Sequence, residues 1–162
     1  MGQNHPDFTI RQASPAELLW VHERIPEFPG KASLDFYTDR LKHRLHLRLV
    51  AEKDGELLGF KVGYQSDTPD TFYSWMGGVR PEFRKHGIAY SLAEYQENWA
   101  REKGFSSIFF KTRNRFPAMI TFGLSRGFKI MEVIPKGGVE DYRVVMWKDC
   151  LLYTSPSPRD RT

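Results

Sequence analysis

The spacing of the apolar residues changes at Gly87, and this change limits the folds open to the chain. Between residues 45 and 64, apolar side chains tend to alternate with polar ones, which is the period of a half-buried strand. After Gly87 the apolar residues recur at the spacing of one helix face: Ile88, Leu92, Tyr95 and Trp99. The sequence therefore predicts an antiparallel meander followed by a long central helix.

Helix-capping residues predict two further helices ahead of the meander. Ser14 and Glu17 have the spacing of a capping box, in which each side chain satisfies a free backbone N–H group. Pro15 suits the first helical position, so we expect this helix to begin there and to end at Pro26. Ser33 is expected to cap the second helix.

Turn residues separate the remaining elements. Asp54-Gly55 has the composition of a tight hairpin turn, and Gly104 and Gly127 are placed to end two helices. The expected order is β-α-α-β-β-β-α-β-α-β-β, a mixed and mainly antiparallel α/β (α+β) arrangement of about seven strands and about four helices. The expected strands are 9–12, 45–51, 57–64, 71–79, 107–111, 128–134 and 142–147. The two later helices are expected at 87–103 and 117–126.

Length and composition indicate one globular domain. The chain has 162 residues, of which 40% are hydrophobic and 27% charged, so we expect one domain over residues 1–150. Residues 151–162 are rich in proline and charge without apolar periodicity, and we expect a disordered or non-native tail. We expect a cytoplasmic protein, because neither a secretory signal nor an apolar run long enough to cross a membrane is visible.

The cysteine and histidine content argues against a metal centre. The single cysteine, Cys150, excludes an intramolecular disulfide and a multi-cysteine zinc site. His43 and His46 show no ligand spacing with a carboxylate or with another histidine, so we expect no metal. The formal net charge of +4 is spread along the chain and is weak support for nucleic-acid binding.

The segment from Val79 to Ala89 carries the pattern of an anion site. A strand that runs into a short loop and then a helix leaves several backbone N–H groups unpaired at the positive end of the helix dipole. Gly87 lets the backbone approach a phosphate closely, and Arg84 and Lys85 add positive charge. Taken alone, this pattern is more typical of an ordinary helix start than of an anion site.

The same segment resembles the acetyl-CoA motif of the GNAT N-acetyltransferase superfamily. In that motif a strand ends in Val-x-Pro and Arg/Gln-x-x-Gly-x-Gly/Ala then opens the central helix, as Val79-Arg80-Pro81 and Arg84 to Ala89 do here. An altered downstream signature follows at Asn114, Ala118 and Gly127-Phe128. The resemblance covers about residues 8 to 148 and implies the GNAT fold and acetyl-CoA as acyl donor.

The resemblance also implies roles for particular residues. Backbone groups of Gly77 and Val79 would pair with the pantetheine arm, and the Val79 N–H would serve as the oxyanion donor. Asn114 would contact the arm from a neighbouring strand end. The pyrophosphate would be held by the loop residues Arg84, Lys85, His86, Gly87, Ile88 and Ala89.

The catalytic side chains are not assigned by the sequence. Many family members have a tyrosine, as acid for the departing thiolate, at the position that Gly123 occupies here. Water or another tyrosine could serve as the proton donor instead, and the available tyrosines are Tyr73, Tyr90 and Tyr142. Candidates for the base are Glu27, His22 and a water relayed by a backbone carbonyl.

The predicted function is transfer of an acetyl group from acetyl-CoA to a primary amine, by direct attack, in a monomer or homodimer. The acceptor would be a small molecule or a peptide, with aromatic residues near Phe28 and at 72–75 lining either the core or its pocket. One alternative is a catalytically silent module that binds acyl-CoA or serves in protein interaction, and another, less favoured, is nucleic-acid binding. The last would use Arg40, Lys42, Arg44, Arg48, Arg113 and Arg115.

Overall fold

A computed structural model describes residues 3–5, 7–28 and 30–149, with the side chains of residues 3–5 left out. The chain folds into two compact parts. The first part contains the described residues up to 65 together with 74–99, and the second contains 66–73 and 100–149. The single domain expected over residues 1–150 stays a prediction. Cys150 and the expected tail, 151–162, lie outside the described residues.

The strands and helices follow the predicted order, with one strand added at the start. The strands are Gln3–His5 (β1), Phe8–Gln12 (β2), His46–Lys53 (β3), Glu56–Gln65 (β4), Thr71–Val79 (β5), Ser107–Arg113 (β6), Lys129–Ile134 (β7) and Arg143–Asp149 (β8). The helices are Pro15–His22 (α1), Leu34–Leu41 (α2), Ile88–Glu102 (α3) and Pro117–Ser125 (α4). Two 3₁₀ turns, Pro81–Phe83 and Val139–Asp141, complete the described elements. No helix among the described residues has the length and apolar character of a membrane span.

The first part is built on the sheet order β1-β2-β3-β4-β5. The pairs β1–β2, β2–β3 and β3–β4 are antiparallel. The predicted hairpin turn between β3 and β4 is confirmed, because Asp54 and Gly55 have φ angles of 51° and 83°. Core side chains of this part come mainly from α1, α2, β3 and β4, and include Leu18, Tyr37, Leu49 and Phe60, each fully buried.

Helix α1 begins as predicted and ends earlier than predicted. The Glu17 N–H donates to the Ser14 hydroxyl and the Ser14 N–H donates to the Glu17 carboxylate, which is the capping box. The helix ends at His22, not at Pro26. The reason is that the next amides turn more tightly, since the Ile25 N–H donates to the His22 carbonyl at 3.1 Å.

Glu17 also anchors α1 to the sheet. Both of its oxygens accept from the Arg11 guanidinium, at 3.1 and 2.6 Å, and the Arg11 Nε donates to Glu52 on β3. The hydrogen bond from Arg11 lowers the pKa of Glu17 to about 2. One carboxylate therefore caps α1 and ties it to both β2 and β3.

Helix α3 buries a different stripe from the one predicted. Ile88 and Leu92 are buried as expected, but Tyr95 and Trp99 are only half-buried. The stripe continues instead at the four-residue spacing through Gln96 and Ala100. Large aromatic rings often lie at the boundary between core and solvent. The prediction took Tyr95 and Trp99 as the centre of the buried face, whereas they lie at its edge.

The second part has the sheet order β5-β6-β8-β7. Residues 71–73 of β5 pair in parallel with β6, while β6–β8 and β8–β7 are antiparallel. Strand β7 stands last in this order, and a bulge interrupts its register between Ile130 and Glu132. Its apolar side chains are exposed, namely Ile130, Met131, Val133 and Ile134.

Gly123 on α4 occupies a position that has no room for a side chain. A Cβ atom at this residue would lie 2.8 Å from the Phe110 ring and 2.9 Å from the end of the Met146 side chain. Real Cβ atoms do not approach neighbours this closely, so any larger residue requires the core of the second part to move.

We expect Glu17→Gln to lower the free energy of unfolding by about 1–2 kcal/mol at pH 7, a figure reduced for partial exposure of the ion pair. Because the folded-state pKa of Glu17 is lowered to about 2 from 4.5, its contribution is complete above 4.5 and disappears as the pH falls towards 2. Urea denaturation from pH 7 down to pH 3 should show the difference from wild type narrowing below pH 4.5. A difference of constant size would contradict the assignment, and Glu102→Gln serves as an exposed control.

We expect Gly123→Ala to destabilise the chain by about 1–2 kcal/mol, because overpacking against Phe110 outweighs the better helix propensity of alanine. The matched control is Gly138→Ala, since Gly138 has a φ of −75° and a Cβ atom added there would have no heavy atom within 4 Å. Urea denaturation should leave the control within about 0.5 kcal/mol of wild type. A Gly123→Ala variant as stable as the control would refute the close packing.

Candidate functional site

The segment between β5 and α3 forms a tight loop whose backbone conformation is unusual. After the 3₁₀ turn, Arg84 is extended, and Lys85 then has a φ of 68°. Gly87 follows with a φ of 83°, directly before α3 begins at Ile88. A lysine in the left-handed region costs about 1–2 kcal/mol, and such strain is concentrated at ligand-binding sites. No residue pattern in the sequence indicates this conformation of Lys85.

Backbone N–H groups at the start of α3 have no backbone acceptor. The first amide to reach a helical carbonyl is that of Ser91, which donates to the Gly87 carbonyl at 3.0 Å. Within the described part of the chain, the amides of residues 85 to 89 donate to no backbone carbonyl. These donors lie at the positive end of the helix dipole of α3 and suit an anion.

Gly87 leaves open space beside these donors. Apart from Gly87 itself and its two chain neighbours, no described residue has a heavy atom within 4 Å of the position that a Cβ atom would occupy. Ala89 is also exposed and has a small side chain. The loop is therefore accessible to a group that approaches the backbone, as the sequence predicted.

Close backbone approach also explains the glycines of β4 and β5. A Cβ at Gly59 would lie 3.0 Å from the Gly78 carbonyl oxygen, and one at Gly77 would lie 3.2 Å from the Phe60 carbonyl oxygen. A Cβ at Gly78 would lie 2.6 Å from the Ile25 side chain. Larger residues at these places would push β5 away from its neighbours, so the glycines fix the position of its end at Val79.

The Arg84 guanidinium joins the loop to the segment after α1. Its two terminal nitrogens donate to the two Glu27 oxygens at 2.9 and 2.8 Å. Its Nε donates to the Val79 carbonyl at 2.9 Å. This bidentate arrangement was missed by sequence reasoning, because the two residues are 57 positions apart and neither lies in a pattern that indicates pairing.

Pairing changes the chemistry of both groups. The hydrogen bond from Arg84 lowers the pKa of Glu27, and the same bond raises the pKa of Arg84. A carboxylate with a lowered pKa is a weaker base at pH 7 than a free one. The charge of Arg84, expected to act on an anion, is in turn largely offset by Glu27.

His22 lies in an aromatic cluster rather than at the protein surface. Its Nδ1 and the Tyr37 hydroxyl are joined by a hydrogen bond, and the ring contacts Phe28, Phe36 and Phe60. Burial lowers the pKa of His22 and raises the pKa of Tyr37. At neutral pH this pair is therefore uncharged, and His22 is accessible to solvent over only 6% of its surface.

Two predicted site residues lie in the second part of the chain. The Tyr73 ring stacks on Phe109 with their centroids 4.7 Å apart, and the Lys111 ammonium lies over it. The Asn114 side chain donates to the Val139 carbonyl at 3.0 Å, which leaves its own amide oxygen available. Strand β6 extends two residues beyond the predicted end at Lys111, so Asn114 directly follows it.

No group of three or more histidine, cysteine, aspartate or glutamate side chains is arranged to hold a metal ion among residues 3–5, 7–28 and 30–149. The loop before α3 offers backbone donors, open space at Gly87 and the ion pair of Arg84 with Glu27.

Many solved structures have the same fold as this chain. The ribosomal-protein-S18-alanine N-acetyltransferase from Escherichia coli is 17% identical, over 88% of this chain and 94% of that one, with a TM-score of 0.75. Ard1 from Thermoplasma volcanium is 21% identical, over 88% and 97%, with a TM-score of 0.75. Salmonella typhimurium yncA, solved with its cofactor acetyl-CoA, is 18% identical, over 94% and 99%, with a TM-score of 0.72. At these identities the similarity establishes the fold.

Comparison of the sequence establishes the family. No curated protein sequence matches the chain. The sequence model of the acetyltransferase (GNAT) family matches residues 14–128, which is more than half of the chain and includes the loop before α3. The chain therefore belongs to the GNAT acetyltransferase family.

Proposed function

We propose that the chain is an N-acetyltransferase that transfers an acetyl group from acetyl-CoA to a primary amine by direct attack. The family is one of acyltransferases that use acetyl-CoA. The observation that carries the proposal for this chain is the open loop at the start of α3. Its amides from residue 85 to 89 have no backbone acceptor among the described residues, and the space beside Gly87 is open.

The residues present fit the pyrophosphate of acetyl-CoA. Unpaired amides at a helix start and a glycine with open space are the features that a phosphate group requires. In this proposal the amides of Lys85, His86, Gly87, Ile88 and Ala89 hold the pyrophosphate, whereas the Arg84 N–H, expected to join them, donates to the Pro81 carbonyl at 3.4 Å. Backbone groups of Gly77 and Val79 pair with the pantetheine arm, and Asn114 contacts it through its amide oxygen.

Acetyl-CoA supplies a thioester. The amine nitrogen forms a bond to the thioester carbonyl carbon, and the carbon–sulfur bond breaks to release the CoA thiolate. The amine loses one proton, and the thiolate gains one to become the CoA thiol. The Val79 N–H is the proposed donor to the oxygen that gains negative charge. The Val79 carbonyl is already occupied by Arg84, so that interaction holds the strand end in place.

Glu27 is proposed to position the loop rather than to remove the proton. The supporting observation is its bidentate bond to Arg84, which lowers its pKa. His22 is buried and its Nδ1 is bonded to the Tyr37 hydroxyl, which leaves a water relayed by a backbone carbonyl as the proposed base.

Water and three tyrosines are the candidates for the proton donor to the thiolate. Tyr90 is exposed on the first turn of α3, which is the helix that begins at the loop. Tyr142 is half-buried, and the face of Tyr73 is occupied by Phe109. We propose Tyr90 or water for this role, and Tyr73 as the remaining candidate.

A second candidate function is a silent acyl-CoA-binding module. The observation that favours it is Gly123, which stands where many family members have the catalytic tyrosine and has no room for one. This alternative predicts binding of acetyl-CoA without turnover of any amine.

We expect Gly87→Asp to weaken acetyl-CoA binding at least about a hundredfold, because a carboxylate would stand beside the pyrophosphate among the amides that should receive it. The matched control is Gly55→Asp. Gly55 has the same φ of 83° and the same open surroundings, so backbone strain is equal in the two variants. Calorimetric titration with acetyl-CoA and with CoA measures the effect, and circular dichroism checks that both variants fold.

Failure of the folded wild-type chain to bind either ligand would contradict the proposed function. If it binds, a screen of primary amines by thiol release separates the two candidates. Turnover of a small-molecule or peptide amine supports the transferase, and binding with no turnover across the screen supports the silent module.

With an amine that is turned over, we expect Glu27→Gln to lower kcat/KM by less than about tenfold and to leave the acidic limb of its pH profile in place. Loss of a true general base costs about 10² to 10⁴ and removes that limb. Glu23→Gln, a neighbouring exposed carboxylate, is the control. A larger loss together with a flattened acidic limb would identify Glu27 as the base.

A further inference from the structure

A groove in the first part of the chain is lined mainly by basic residues. It has a volume of about 390 Å³. It lies between the first residue of α1, the end of α2 and the start of β3. Its lining residues are Pro15, Thr38, Leu41, Lys42, His43, Arg44, His46 and Arg48. No acidic residue is among them, so the groove concentrates positive charge.

Two of these cations have no partner within the described part of the chain. Lys42 is exposed and Arg48 is half-buried, and neither forms an ion pair or a side-chain hydrogen bond there. The contrast with Arg115 is clear, because its guanidinium donates to Asp141 at 2.8 Å. A half-buried guanidinium without a carboxylate partner is suited to an incoming anion.

The two histidines of the groove are held in defined conformations. The His46 Nδ1 lies 2.9 Å from the Arg44 carbonyl oxygen, and since a carbonyl only accepts, Nδ1 carries the proton. The other nitrogen of His46, Nε2, is therefore the one available to a ligand or to water. His43 has a φ of 64°, a strained conformation for this residue, at the turn that joins α2 to β3.

The groove is separate from the loop before α3. His46 pairs with Tyr64 near the end of β4. The Arg80 N–H, just after β5, donates to the Leu58 carbonyl near the beginning of β4. Six residues of strand separate Leu58 from Tyr64, a length of about 20 Å. An anion in the groove would therefore be distinct from the pyrophosphate of acetyl-CoA.

We propose that this groove binds the phosphate group of a small phosphorylated molecule. Lys42 and Arg48 supply the two uncompensated charges, and the His46 Nε2 accepts a hydrogen bond from a hydroxyl group or a protonated phosphate oxygen of the ligand. The volume lies at the lower end of the range for small-molecule sites, about 300–1,000 Å³, which favours a small ligand over a nucleic acid. The basic residues that an extended nucleic acid would need elsewhere are occupied: Arg113 and Arg115 pair with Asp141, and Arg40 donates to Tyr64.

Inorganic pyrophosphate is the probe, titrated into the full chain saturated with acetyl-CoA so that the loop before α3 is occupied. If the chain does not bind acetyl-CoA, the same titration is made with the Gly87→Asp variant. The carboxylate added there should weaken pyrophosphate binding at the loop before α3. Calorimetry measures affinity, and amide and imidazole chemical shifts locate the site. We expect shifts confined to residues 41–48 and to the neighbouring start of α1.

The double variant Lys42→Gln/Arg48→Gln should bind pyrophosphate at least about tenfold more weakly, since each lost charge-assisted hydrogen bond contributes to affinity. The control Lys31→Gln/Lys53→Gln removes the same net charge from exposed positions outside the groove and should bind as wild type does.

Three results would overturn the proposal. One is an equal loss of affinity in the control, and another is the absence of shifts in residues 41–48. The third is a short single-stranded RNA that binds these residues more tightly than pyrophosphate, with shifts that extend along the sheet. Circular dichroism of both double variants distinguishes lost binding from lost folding.

Discussion

The candidate site depends on backbone N–H groups that donate to no backbone carbonyl. A helix always begins with such groups, and here the loop places those of residues 85 to 89 at one end of α3. Gly87 contributes no side chain at this end of the helix, Gly59 and Gly77 let β4 and β5 approach closely, and Gly78 leaves room for the Ile25 side chain. Arg84 then fixes the loop by bonding both Glu27 and the Val79 carbonyl. The family model covers this loop. The proposed binding of acetyl-CoA and the proposed acetyl transfer both depend on these N–H groups.

Much of the fold was predictable because its signals are local. The capping box at Ser14 and the hairpin at Asp54-Gly55 each depend on the conformational preferences of two to four adjacent residues. The same holds for the loop, whose glycine and basic residues are contiguous. Strand β1 was missed because three residues at the start of the chain form too short a pattern to detect.

The features that could not be predicted depend on residues far apart in sequence. The pairing of Glu27 with Arg84 and of His22 with Tyr37 requires the tertiary arrangement of α1, α2 and the loop. Both pairs alter the roles that sequence reasoning gave to their members, since one carboxylate becomes a weak base and one imidazole becomes a buried neutral group. Gly123 was recognised as a departure from the family pattern, but only the packing of Phe110 and Met146 shows why a tyrosine does not fit there.

The bulge in β7 bears on how the chain behaves at high concentration. A strand at the end of a sheet with four exposed apolar side chains would ordinarily offer a template for the strands of other molecules, and self-association of that kind ends in cross-β aggregates. The extra residue at Met131 breaks the regular spacing of its hydrogen-bonding groups, and Glu132 places a charge beside the break. An incoming strand would meet a matching row of partners over only two or three residues. The irregularity therefore limits the length of edge along which a second strand can pair with β7.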